Sequence, residues 1–123
     1  MKIIIDTHIF LWAISDLNRI SMRQREELET ATNTIYVSSI SVVELMIKSS
    51  IGKLQVNFNP VEIAEKSGFE MLDFSAKDAI PLKDMPFHHK DPFDRMLIAQ
   101  SMARGIPVMT NDKKFNLYHC KVL

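Results

Sequence analysis

Asp6, Glu44, Asp94 and Asp112 stand far apart along the chain, each where an apolar strand ends or where a helix begins or runs on. Brought together, four carboxylates would form a pocket of hard oxygen donors suited to Mg²⁺ or Mn²⁺; Mg²⁺ keeps several waters and takes only a few carboxylates plus a substrate phosphate. Such a site lowers the pKa of a bound water, neutralises a phosphate and, with two ions, holds attacking and leaving oxygens in line. An empty cluster of this kind repels itself, so its acids are expected to have raised pKa values until metal arrives.

Convergence depends on the elements that carry these acids. The apolar run Lys2 to Ile5 leads straight into Asp6, and Ile106 to Met109 leads into Thr110, Asn111 and Asp112. If both are parallel strands of one sheet, the two carboxylates emerge at the same carboxyl edge, where open α/β sheets bind ligands. Glu44 and Asp94 must then come from helices. The hydrophobic period switches repeatedly along the chain, as alternating strands and helices require. The pattern predicts a short helix from Thr7 to Ile14, a turn over Ser15 to Asn18, and a charged helix from Ser21 to about Thr30. A strand over Ile35 to Val37 is followed by a helix from Ser38 to Ser50, with apolar Ile40, Val43, Met46 and Ile47 at helical spacing and Gly52 as its stop. Pro60 heads a helix from Val61 to Ser67; a strand follows around Glu70 to Phe74, then a helix from Ala76 to Ile80. Pro81 to Pro92 reads as a loop. Phe93 to Arg104 is the strongest helix, closed by Gly105, and Lys121 to Leu123 forms a last edge strand.

Each acid also has a structural role open to it. Asp6 is a favoured helix cap. Glu44 lies four residues before Lys48, the spacing of a helical ion pair. Asp94 falls in a first helical turn, where the macrodipole favours negative charge, and Asp112 suits a turn. Asp91 is the better cap for the long helix; the register of Met96 to Gln100 favours Asp94 as the pocket residue, with Asp91 as the alternative. Thr7 and Thr110 are placed to orient carboxylates through their hydroxyls or to cap. His88 and His89 fall in the expected loop without the cysteine partners of a zinc site. Arg95, Lys48, Lys53, Lys113 and Lys114 are candidates for phosphate contacts or for a solvated face.

Composition narrows the class. With 123 residues and 46% hydrophobic content, the chain suits one domain with a real core, residues 1–123, and is too short for two. Its 15 basic and 15 acidic residues cancel, so no global field draws it to nucleic acid or an anionic membrane, and any nucleic-acid binding must be local. The single Cys120 fits a reducing compartment and a structural role, and the apolar run before Asp6 is too short for a signal peptide or membrane span. A cytoplasmic protein without membrane association is expected.

The start IIIDTHIFLWAI, the middle VSSISVVELMIKSSIGKL, the stretch HHKDPFDRMLIAQSMARGIPVMTNDKKF and Tyr118 together resemble the PIN-domain family, in its short toxin-type (VapC-like) branch. The resemblance is collinear over essentially the whole chain and is strongest to the subgroup with the segment read here as His89 to Arg95. It implies a single-domain α/β/α sandwich with a mainly parallel central sheet, and a Mg²⁺- or Mn²⁺-dependent ribonuclease. The family's acidic quartet maps onto Asp6, Glu44, Asp94 and Asp112 as catalytic and metal-holding residues. It further implies an RNA substrate, a small antitoxin protein as partner in a type II toxin–antitoxin pair, and a homodimer. The eight methionines and the region of Phe10 and Trp12 offer apolar surface for such partners, or serve as core.

Two readings compete with the nuclease. A phosphoacceptor receiver-like signalling domain shares the length and the acidic strand end, but its central aspartate would have to be Asp73, which lies inside an apolar pattern. The other is a non-catalytic PIN-like module that only binds RNA or protein, which the retained quartet argues against.

Overall fold

Ile3, Ile4 and Ile5 are fully buried, the condition of a central parallel strand covered on both faces. In the computed structural model, which describes residues 1–123, this strand β1 (Lys2–Ile5) pairs in parallel with β2 (Thr34–Ser38) on one side and β4 (Val108–Met109) on the other. β3 (Glu70–Leu72) adds to the far side of β2, again parallel, giving the order β3-β2-β1-β4. The direction of strand addition reverses between β1 and β4, so Asp6 and Asp112, which follow these two strands, flank the crevice opened by that reversal.

Alternation of side chains along β1 divides the core. Ile3 and Ile5 pack with Ile9 and Phe10 of α1 (Thr7–Ser15), Leu45 of α3 (Ser39–Ser50) and Ala64 of α4 (Pro60–Lys66). Ile4 packs on the opposite face with Leu97, Ile98 and Ala99 of α5 (Pro92–Arg104), and with Phe115. The architecture is an α/β/α sandwich on an all-parallel sheet, with each large apolar side chain so buried contributing about 1.5–3 kcal/mol. No helix is long and apolar enough to cross a membrane.

Local chemistry sets the element ends. Ser21 caps α2 (Met22–Glu29) in a reciprocal box with Gln24. Asp91 caps α5, accepting from the amides of Phe93 (2.9 Å) and Asp94 (3.1 Å), with Pro92 at the first helical position. Gly105 ends α5 in the left-handed region at φ 63°, which glycine adopts without steric cost.

Several elements differ from the sequence reading. The apolar stripe of α3 is turned outward: Val43, Met46 and Ile47 are exposed, and the buried face carries Ile40, Ser41, Glu44 and Leu45. The helix expected over Ala76 to Ile80 is a 3₁₀ segment running to Asp84 with Pro81 inside it, so the loop begins later. β3 stops at Leu72 because the Phe74 amide donates to Ser39 Oγ (2.9 Å) instead of to a strand neighbour. β4 spans only Val108–Met109, and Lys121 to Leu123 contributes a single parallel bridge at Val122, because β4 offers so short an edge. Phe10, expected as partner surface or core, is core.

Candidate metal centre

The end of β1 turns directly into α1, so Asp6 both follows the last residue of the strand and caps the helix. Its Oδ1 accepts from the Ile9 amide (2.8 Å), and its Oδ2 accepts from the Thr110 hydroxyl (2.5 Å). That hydroxyl also accepts from the Asp112 amide (3.0 Å), tying the acid after β1 to the one after β4. Burial raises the Asp6 pKa, and the bonds from Thr110 and Ile9 only partly offset it.

Glu44 reaches the same edge from the buried face of α3 and is only 3% exposed. The Thr7 hydroxyl donates to its Oε1 (2.7 Å) and lies 2.9 Å from Ser41 Oγ. Lys48 Nζ stands 2.5 Å from Glu44 Oε2, so the helical ion pair exists alongside any role in the pocket. Hydrogen bonding to Glu44 raises the Lys48 pKa and keeps the ammonium charged, with further contributions from Asp91 and Asp94.

The first turn of α5 sorts its two aspartates. Asp91 is consumed as the cap, and Asp94, one turn on, carries the carboxyl that feels Glu44, Asp6 and Asp112. Burial first, then the charges of Asp91, Glu44, Asp6 and Asp112, push its pKa up to about 8. A shift of that origin identifies a group with too little positive charge around it. Asp112 behaves differently. Burial opposes its ionisation, but the Lys114 amide (2.9 Å to Oδ1), His89 and the Lys114 charge outweigh it and lower the pKa. Asp112 also caps the 3₁₀ segment Lys113–Leu117.

The four acids of the sequence reading therefore sit in one electrostatic neighbourhood, and Asp6, Glu44 and Asp112 each also serve a local structural bond. Thr7 and Thr110 both orient carboxylates, as their positions at strand ends suggested. Arg95 does not face a phosphate path: it is 7% exposed, and its guanidinium donates to the carbonyls of Met85, Pro86 and His89. Asp73 stands exposed at the end of edge strand β3, on the far side of β2 from β1.

His89, which the sequence reading considered only for zinc and set aside, reaches the cluster. Its Nε2 lies 2.7 Å from Asp112 Oδ2 and 3.1 Å from Asp94 Oδ2, and these three atoms fall within 4.8 Å of one another, close enough to surround a cation. The signal was its position two residues before the Asp91 cap, from which a loop side chain can fold back over the first turn of the helix. The four carboxylates make an oxygen-rich, hard donor set, and Asp94 is short of positive charge; the residues present fit a divalent cation.

The family model described as PIN domain matches residues 3–119. None of the curated proteins compared matches the chain. Among solved structures, VapBC2 from Rickettsia felis, bound to a promoter DNA fragment, aligns over 100% of this chain and 98% of its own at a TM-score of 0.74 and 22% identity. DNA-bound VapBC from Salmonella typhimurium aligns over 100% and 97% at 0.72 and 22% identity. FitAcB from Neisseria gonorrhoeae aligns over 98% and 96% at 0.63 and 20% identity. At those identities the likeness is one of fold. The family match across nearly the whole chain carries more, and the chain belongs to the PIN domain family.

Proposed function

We propose that the protein is a Mg²⁺- or Mn²⁺-dependent endoribonuclease, the toxin component of a type II toxin–antitoxin pair acting in the cytoplasm. The observation that carries the reading is the Asp94 carboxyl, raised to about 8 by burial and by Asp91, Glu44, Asp6 and Asp112 at the carboxyl edge of the sheet. No basic side chain balances the acids around it, and their charges disfavour its ionised form, which is the state a cation would relieve.

Asp6, Glu44, Asp94 and Asp112 would hold the ion, which when bound would neutralise phosphate charge and make a water acidic enough to attack phosphorus. The chain's own residues set the stage for that. Thr110 and the Ile9 amide fix Asp6, and Thr7 and Lys48 fix Glu44. Asp94 must give up its proton as the cation enters. The partly exposed Lys48 ammonium, held charged by Glu44, is placed for an RNA phosphate. Neither a serine nor a cysteine takes part as covalent nucleophile in this reading.

Attack by water with departure of the ribose 3′ oxygen leaves a 5′-phosphate and a 3′-hydroxyl. Mapping product ends from a cut RNA pool tests this, and a 2′,3′-cyclic phosphate would sink it. A small antitoxin and a second copy of the chain are the proposed protein partners. The fold likeness to the VapBC and FitAcB assemblies and the exposed apolar residues Val43, Met46 and Ile47 of α3, with Ile51 just past its end, support a protein partner.

A further inference from the structure

His89 is held more tightly than a loop residue needs to be. Its amide donates to the Tyr118 hydroxyl (2.8 Å), its carbonyl accepts from Arg95 Nη1 (3.2 Å), and its ring meets Phe115 edge-on with centroids 5.9 Å apart. The Asp91 amide donates to Nδ1 (3.2 Å). An amide can only donate, so Nδ1 is the unprotonated nitrogen and the ring proton sits on Nε2, the atom that faces Asp94 and Asp112. A neutral imidazole that binds metal through Nε2 must carry its proton on Nδ1, where it would meet the Asp91 N–H. The geometry thus makes His89 a donor to the carboxylates, not a ligand beside them.

We propose that His89 is a positioning residue of the carboxylate cluster: its Nε2–H, shared between Asp112 Oδ2 and Asp94 Oδ2, holds the two acids side by side in the arrangement that receives the cation. This rests on the metal-dependent reading of the site and extends it. Once Asp94 gives up its proton the two carboxylates repel each other, and a neutral donor between them offsets that repulsion without adding a charge that would compete with the ion. Outer donors that orient ligating carboxylates are worth about 10- to 100-fold in metal affinity. The role differs from core packing, which would require the ring against Phe115 but not the proton on Nε2.

The test is Mn²⁺ binding by the purified full chain without RNA, followed by the EPR signal of the free ion, for wild type, Asp94→Asn, His89→Gln and His89→Asn, with thermal midpoints recorded metal-free. The Gln amide nitrogen reaches the place of Nε2, whereas the Asn amide nitrogen reaches only that of Nδ1. His89→Gln is expected to bind within about threefold of wild type and His89→Asn about tenfold or more weaker, at comparable midpoints. Equal affinity in wild type, His89→Gln and His89→Asn, with binding lost in Asp94→Asn, would overturn the positioning role and leave the metal site standing. Binding absent from wild type, or unchanged in Asp94→Asn, would remove the metal site and the role with it. Pulsed EPR of the wild-type Mn²⁺ complex needs no variant: directly coordinated imidazole nitrogen would overturn the proposal, and its absence is expected.

Discussion

Burial and surrounding acids keep the Asp94 carboxyl protonated at neutral pH in the metal-free protein, since its pKa lies near 8. The sign of the resulting linkage follows from the unfolded value of 3.8. Between these values the folded state binds the extra proton, so the metal-free protein loses stability as pH rises from about 4 to about 8. Cation binding displaces that proton, so metal affinity should climb as pH rises towards about 8 and level off above it. Thermal midpoints across pH, with and without Mg²⁺, read both effects; Asp94→Asn should flatten the metal-free slope and weaken binding. At this scale much was legible. The four acids stood out as candidates by lying where a strand ends or a helix begins or runs on, and Asp91 could be assigned as the cap from the helix start alone. His89 could not be found that way, because its role depends on a loop folding back onto residues 5 and 23 positions further on, and Arg95 reads as a surface cation until the carbonyls it serves are seen.

Between the residues and the fold lie the segments that hold them, and the connection into α5 is built around two buried groups. Arg95 Nη1 and the Tyr118 hydroxyl both donate to the Pro86 carbonyl (2.9 and 2.6 Å), and Arg95 adds the carbonyls of Met85 and His89. Lysine has neither the fork geometry nor the number of donors to replace it. Arg95→Lys should therefore cost about 2–3 kcal/mol in chemical denaturation, where a surface arginine would cost almost nothing. A second tie joins the 3₁₀ segment to α5. The Arg104 guanidinium, 2.8 Å from Asp78, holds that carboxyl down at about 2 against the cost of burial. Its contribution is present above the unfolded value of 3.8 and fades as pH falls towards 2, so Arg104→Met should destabilise the protein by about 2 kcal/mol at neutral pH and much less below pH 3. Element type and order were readable from periodicity and from Pro, Gly and Asp signals. Which face of α3 turns inward was not: its apolar stripe pointed to one side, and the sheet, the Thr7 hydroxyl and the pocket claimed the other.

For the molecule as a whole, the all-parallel sheet and the reversal between β1 and β4 bring the acids to one edge, and the charge balance leaves any attraction for nucleic acid to local groups such as Lys48. A cation bound only by the folded state stabilises it by mass action, about 2.7 kcal/mol at a hundred times its dissociation constant. Fold class was legible because strands and helices alternate and β1 is apolar from Ile3 to Ile5. Strand order was not, since a parallel pairing leaves no turn signal in the sequence. The account's central claim is that the convergent carboxylates form one metal-dependent centre for RNA hydrolysis. It is tested most directly by incubating the partner-free protein with a mixed RNA pool in Mg²⁺, Mn²⁺ or EDTA, beside folded Asp6→Asn and Asp94→Asn variants. The account predicts cutting with either metal, none in EDTA, and a loss of at least about 100-fold in both variants. Cutting that persists in EDTA, or that survives both substitutions, would contradict it.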